Sequence, residues 1–197
     1  MRRIGLYGGT FDPVHNAHLA LAKLARDHLR LDELRLVPSG VPWQKQSRVL
    51  TPAADRLAML TLAVADEPRF VIESCELQRA GPSYSIDTVR ELQAAEAAPA
   101  EWFLVIGQDQ YAHFSSWHEW QALLHLTTLA VAGRAGHEPR APDDVAALPH
   151  RIVTLPLPAM AVSSSEVRER LARGAGIADL VPPAVARYID LNHLYRN

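Results

Sequence analysis

Cysteine is nearly absent: Cys75 stands alone in 197 residues. No internal disulfide can form, and a reducing compartment is expected. Charge of one sign is also missing. Twenty basic against 22 acidic residues leave a net charge of −2, so a large nucleic-acid-binding surface is not indicated. Long apolar runs are missing too. The longest uncharged stretches, such as 120–133, are too short to span a bilayer and break into helix and strand patterns. The apolar run after Met1-Arg2-Arg3 is too short for a signal segment, and Gly8-Gly9 cuts it. A cytoplasmic chain with no membrane and no nucleic-acid partner is expected. The usual nucleotide motifs are lacking as well: neither G-x-G-x-x-G nor G-x-x-x-x-G-K-[ST] occurs after the first strand-like run. No third His or Cys completes a metal set around the paired His15 and His18, so no metal site is expected of the protein itself.

Apolar content is 48%, and with this length it suits one well-buried core, read as a single domain over 1–197. Strand-like runs lie at 4–7, 34–37, 70–72, 102–106, 129–132 and 152–155. Helical patterns lie near 16–29, 53–65, 86–97, 118–126, 164–173 and 183–191. That alternation predicts an α/β fold, a Rossmann-like parallel sheet with helices on both faces. Such sheets bind ligands beyond the carboxyl ends of their strands. Polar clusters follow those ends at 8–18, 38–48, 107–109, 133–134 and 163–168. The stretch 133–150, rich in Gly, Pro, Ala and Asp, reads as a mobile surface excursion.

The densest cluster is Gly8-Gly9-Thr10-Phe11-Asp12-Pro13-Val14-His15-Asn16-Ala17-His18. Strand, Gly turn and helix start suit a phosphate, because bare backbone approaches closely and unpaired N–H groups point outward. The two histidines add donors there, although incidental surface histidines are an alternative. Ser163-Ser164-Ser165-Glu166-Val167-Arg168 opens another helix. Ser163 and Glu166 match a capping box, which explains both without a ligand. Arg168, a cation in the first turns of a helix, points instead to a shared anion. Ser83-Tyr84-Ser85-Ile86-Asp87-Thr88 starts a helix after Gly81-Pro82 and reads equally as a cap or a binding segment. Asp109 after Gly107 suits ribose hydroxyls or a helix cap. Trp117 and Trp120 suit a core, whereas Trp43 beside Lys45 suggests a lid or an interface.

Together these runs resemble the bacterial nicotinate-nucleotide adenylyltransferases. The first motif, Ser83 to Thr88, Ile106-Gly107-x-Asp109, Trp117, Arg134 and Ser163 to Arg168 follow in that family's order. Two positions depart from its pattern. Ala17 stands where the family usually has Gly, and Trp43-Gln44-Lys45 where it often has Pro-His-Lys or Pro-His-Arg. The resemblance implies transfer of the adenylyl group of ATP to nicotinate mononucleotide, with Mg²⁺ carried by ATP. It implies catalytic roles for His15, His18 and Arg168. ATP would lie on Gly8, Gly9, Thr10, Phe11, His15, His18, Gly107, Asp109, Arg134, Ser163, Ser165 and Arg168. The mononucleotide would lie among Lys45, Ser83, Tyr84, Ser85, Thr88 and Trp117. A pantetheine-phosphate type of adenylyltransferase and a non-catalytic nucleotide sensor remain the alternatives. The sequence leaves the oligomeric state open, a homo-oligomer included.

Overall fold

The central strands are apolar on both faces, as a sheet covered on both sides requires. The computed structural model describes residues 1–41, 50–134 and 138–196. Strands β1 (Arg2–Gly9), β2 (Glu33–Pro38), β3 (Phe70–Ile72), β4 (Ala100–Gly107), β5 (Thr128–Arg134) and β6 (Ile152–Leu157) form one sheet. Its order is β3-β2-β1-β4-β5-β6, and every neighbouring pair is parallel. The expected Rossmann-like architecture is what the chain adopts.

Alternation along each strand sends its side chains to opposite faces. Tyr7, Phe103, Val105, Ala130 and Ala132 face one side. There they pack on helices α1 (Asn16–His28), α2 (Ala53–Val64), α8 (Ser164–Ala172) and α9 (Pro183–Leu191). Ile4, Leu6, Trp102, Leu104, Ile106, Leu129 and Val131 face the other side. That face is covered by α4 (Ser85–Ala95), α5 (Gln108–Ala112), α6 (Trp120–Leu126) and α7 (Asp143–Ala146). Short α3 (Cys75–Gln78) follows β3.

The expected strands all form, and helix ends shift for local reasons. The helix predicted to 97 stops at Ala95, where Glu96 turns extended. The Glu96 carboxylate is held by Arg2 at 2.6 Å and by Arg35 at 2.9 Å. The helix predicted from 118 begins at Trp120, because Glu119 sits in the left-handed region at φ 47°. The excursion expected at 133–150 is tied down where it is described. Val145 is fully buried, Arg140 and Gln108 exchange two hydrogen bonds at 3.1 and 3.2 Å, and the Tyr111 hydroxyl meets His150 Nε2 at 2.9 Å.

Candidate active site

Strand order reverses between β1 and β4, which opens a crevice at their carboxyl ends. A cavity of about 130 Å³ lies there. It is lined by Gly8, Gly9 and Thr10 after β1, Ser39 after β2, and Glu76, Ser83, Ser85, Thr88, Gln110 and Trp117 from the opposite side. The first motif and the Ser83–Thr88 segment, far apart in sequence, therefore share one wall-to-wall space.

Gly8 lines this cavity, and among the described residues a Cβ there would meet only Val37 O at 3.9 Å. Protein packing thus gives no reason for glycine at this position. Phe11, assigned to ATP by resemblance, is 1% exposed and takes φ 46°. Its ring packs edge-on against Tyr7 and His18, so it shapes the loop from behind instead of offering a side chain to a ligand.

His15 caps α1 and is 6% exposed. Its ring stacks on that of His18, with centroids 3.7 Å apart. The His15 backbone N–H donates to His18 Nδ1 at 3.2 Å. Nδ1 of His18 is therefore the acceptor, and its neutral ring carries the proton on Nε2, a donor. Burial pushes His15 down to about 4, so it is neutral near pH 7. His15 Nδ1 is buried and has no hydrogen-bond partner among the described residues.

Across the crevice, α8 points its first turn at the same loop. Ser163 accepts from Glu166 N at 3.1 Å, so its oxygen is the helix cap. Glu166 does not complete the box; its carboxylate meets Arg170 at 2.9 Å. Ser164 donates to Pro13 O at 3.0 Å. Arg168 donates through Nη1 to Asp12 O at 2.7 Å and through Nη2 to Ser165 Oγ at 3.0 Å. The guanidinium is thus held beside the β1 loop, 156 residues away in sequence.

The opposite wall is organised by a residue the motifs did not single out. Glu76 is 7% exposed. Thr88 Oγ1 donates to Glu76 Oε1 at 2.7 Å and accepts from Arg79 Nη1 at 3.1 Å. Burial holds the Glu76 carboxyl above its ordinary value, and hydrogen bonds from Thr88 and Ser83 oppose that. Ser83 Oγ also accepts from Gly40 N at 3.1 Å. Gly40 is obligatory: a Cβ would stand 2.2 Å from Glu76 O. Ser83 and Thr88 therefore line the cavity with hydroxyls already engaged by Glu76. Ser85 also lines it, at the start of α4. Tyr84 does not line it; its ring stacks on His118 at 4.4 Å.

On the remaining side, Gly107 caps α5 and its N–H donates to Gln110 Oε1 at 2.7 Å. Asp109 is exposed in the first turn of α5, and Arg134 ends β5. Lys45, with its neighbours Trp43 and Gln44, and the Arg134 side chain lie outside the described residues.

Buried polar atoms without a partner are costly, by about 1–3 kcal/mol each, and each calls for a reason. Among the described residues they are Arg3 Nε, His15 Nδ1, Ser39 Oγ and Trp117 Nε1. Ser39 and Trp117 line the cavity, and His15 stacks on His18 at the start of α1. Ser39 falls within the polar cluster at 38–48 without a motif of its own. Its only signal was its place directly after β2. Arg56 belongs to no motif, and its signal in the sequence is an arginine three and four residues before the buried Met59 and Leu60 on one helical face. Arg56 is 2% exposed. It donates to Thr10 O at 2.9 Å, Ser39 O at 2.8 Å and Thr51 O at 3.0 Å.

Imidazoles, a guanidinium, hydroxyls and helix starts are chemically suited to anions. Among the described residues no group of three or more His, Cys, Asp or Glu side chains converges as a metal-ligand set. No helix of the described residues is long and apolar enough to cross a membrane.

Comparison with known proteins agrees with this geometry. Residues 6–170 match the family described as cytidylyltransferase-like. A protein of Methylibium petroleiphilum named "Probable nicotinate-nucleotide adenylyltransferase" is 53% identical, covering 98% of this chain and 92% of its own length. One of the same name from Bordetella petrii is 47% identical over 100% of both chains. Among solved structures, Plasmodium falciparum nicotinic acid mononucleotide adenylyltransferase complexed with NaAD superposes with a TM-score of 0.77. It covers 99% of this chain and 98% of that one; at 21% identity the likeness speaks for the fold. With relatives of this identity over its full length, the chain belongs to the nicotinate-nucleotide adenylyltransferases.

Proposed function

We propose that this chain joins ATP and nicotinate mononucleotide to give nicotinate adenine dinucleotide and pyrophosphate, a step of NAD biosynthesis. The observation that carries this reading is the cavity at the carboxyl ends of β1 and β4, which brings Gly8, Gly9 and Thr10 together with Ser83, Ser85 and Thr88 and is lined by Ser39 and Trp117, whose buried Oγ and Nε1 lack a hydrogen-bond partner among the described residues. The relatives' shared name supports the same reaction.

The roles follow from the geometry. A phosphate monoester is largely ionised near pH 7, its second pKa being about 6, so the mononucleotide needs no general base. Its oxygen attacks the α-phosphorus of ATP in line. The bond from that phosphorus to the β-phosphate bridging oxygen breaks, and pyrophosphate leaves with the electron pair. The protein supplies position and charge stabilisation. His18 Nε2–H, His15 and Arg168 donate to phosphate oxygens as charge develops, with Thr10, the backbone at Gly8 and Gly9, and Ser165 beside them. Ser163 serves as the cap that orients α8. Gly107, Asp109 and Arg134 hold adenosine.

The acceptor occupies the cavity between Ser39 and Trp117. Donors dominate its surroundings: the N-terminal end of α4, the Trp117 indole N–H and the Ser39 hydroxyl. The carboxylate in the wall, Glu76, is engaged by Ser83 and Thr88. A nicotinate carboxylate, which only accepts, suits that surface better than a carboxamide. Mg²⁺ would arrive with ATP and be held mainly by its phosphates and water, because the site's donors are suited to anions and no metal-ligand set converges among the described residues. When bound, it neutralises charge on the leaving pyrophosphate.

The direct test is product formation. Incubation with ATP, Mg²⁺ and nicotinate mononucleotide should release pyrophosphate and yield the dinucleotide in equal amounts. Nucleotide binding without pyrophosphate release would establish a sensor instead.

A further inference from the structure

The loop that receives the phosphates is held from behind by residues that do not line the cavity. Asp12 is fully buried. Its backbone carbonyl accepts from Arg168 Nη1 at 2.7 Å, and its carboxylate Oδ1 accepts from the Tyr195 hydroxyl at 2.7 Å. The buried Arg56 guanidinium provides the opposing charge. Tyr195 reaches Asp12 across 183 residues of sequence.

The C-terminal segment turns sharply to make that contact. α9 ends at Leu191, and His193 and Tyr195 then take φ values of 51° and 62°. Both lie in the left-handed region that side chains other than glycine seldom adopt. The turn is closed by Leu194 N bonding to Ile189 O at 3.1 Å. Burial, and the hydrogen bond to Asp12, hold the Tyr195 phenol above its ordinary value, so it remains a donor. Core packing alone would be served by phenylalanine, because the ring supplies the apolar surface. The hydroxyl also meets the Thr51 side chain, and it donates its proton to Asp12, the residue whose carbonyl orients Arg168.

We infer that Tyr195 is a positioning residue for adenylyl transfer, acting through Asp12 to hold Arg168 in line with the phosphates. It does not touch substrate. Its loss loosens Asp12, whose carbonyl is one of the acceptors that orient Arg168, so the guanidinium is held less well in line, which weakens stabilisation of developing charge more than it weakens ground-state binding.

Tyr195→Phe tests this. Tyr188→Phe is the control, because it removes a similar hydrogen bond, from Tyr188 to Asp55 Oδ1 at 2.8 Å, between α9 and α2. Tyr195→Phe should lower kcat about tenfold or more, with KM for nicotinate mononucleotide unchanged. Tyr188→Phe should leave kcat unchanged. Combined with Arg168→Lys, Tyr195→Phe should add little further loss, since both act on one group. Wild-type kcat in Tyr195→Phe, an equal loss in Tyr188→Phe, or full additivity with Arg168→Lys would each overturn the inference. Should the phenylalanine variant not fold, hydrogen exchange on the wild-type protein decides. Amides of residues 193–196 should slow when a non-hydrolysable ATP analogue binds, and unchanged exchange refutes the link. The inference rests on the adenylyl-transfer reading. Wild-type turnover measured alongside separates the two, because an inactive wild type refutes the reaction and an active wild type with an equally active Tyr195→Phe refutes only the positioning role.

Discussion

His15→Asn should make the protein more acid-tolerant and less active at once. His15 is buried in its neutral form, at about 4 against an ordinary value of 6.5. The unfolded chain therefore takes up a proton as pH falls through the ordinary value, while the folded chain resists until the lower one. Stability from this residue is full above the ordinary value and is lost as pH falls towards about 4. Between about pH 7 and about pH 5 the linkage amounts to about 2 kcal/mol. Asparagine removes that titration. His15 is also the N-cap of α1, with extended φ and ψ of −143° and 173°, a position that favours Asn. Urea unfolding should show wild type losing about 2 kcal/mol over that range relative to the variant, a midpoint shift of about 1 M. Turnover should fall by about a hundredfold, because an amide tied to the helix N–H groups cannot serve the phosphates. Parallel stability curves for the two proteins, or an Asn variant with full turnover, would refute the reasoning.

Arg168→Lys keeps the charge but not the fork that meets Asp12 O and Ser165 Oγ together. It should lower kcat/KM about ten- to a hundredfold with an unchanged circular dichroism spectrum, and full activity would make Arg168 an ordinary helix residue. Gly8→Ala and Gly40→Ala should part company. The first adds a methyl group that protein atoms tolerate, so its melting temperature should match wild type while ATP turnover falls. The second drives a methyl into Glu76 O and should destabilise by about 1–3 kcal/mol in denaturant titration.

The sheet was legible because its strands are nearly unbroken apolar runs with helical patterns between them. The Gly8–His18 segment was legible as a candidate site because glycines and histidines together have few other uses, and the structure places Gly8, Gly9 and Thr10 on the cavity wall. What escaped was set by contacts between distant segments. Glu76 reads as an ordinary helix-start acid until β3 and α4 bring Ser83 and Thr88 to it. Arg56 reads as a solvated charge until its helix lies across the ends of β1 and β2. α3, α5 and α7 are only four or five residues long, too short to show a helical period. The stretch 133–150 has the composition of a loose loop, yet Val145, His150 and Arg140 fasten it through partners on α5 and the core. The capping role of Ser163 was visible as an alternative in the sequence; the pairing of Glu166 with Arg170 was not.

The central claim is that the crevice selects a nicotinate-bearing phosphate as adenylyl acceptor. It is tested most directly by kcat/KM for nicotinate mononucleotide, nicotinamide mononucleotide and phosphopantetheine at one concentration of ATP and Mg²⁺. One mismatched buried polar group is worth about 1–3 kcal/mol, so nicotinate mononucleotide should lead its amide by roughly five- to a hundred-and-fiftyfold. Phosphopantetheine should give no measurable turnover. Equal values for the two mononucleotides, a preference for the amide, or turnover of phosphopantetheine would contradict the account.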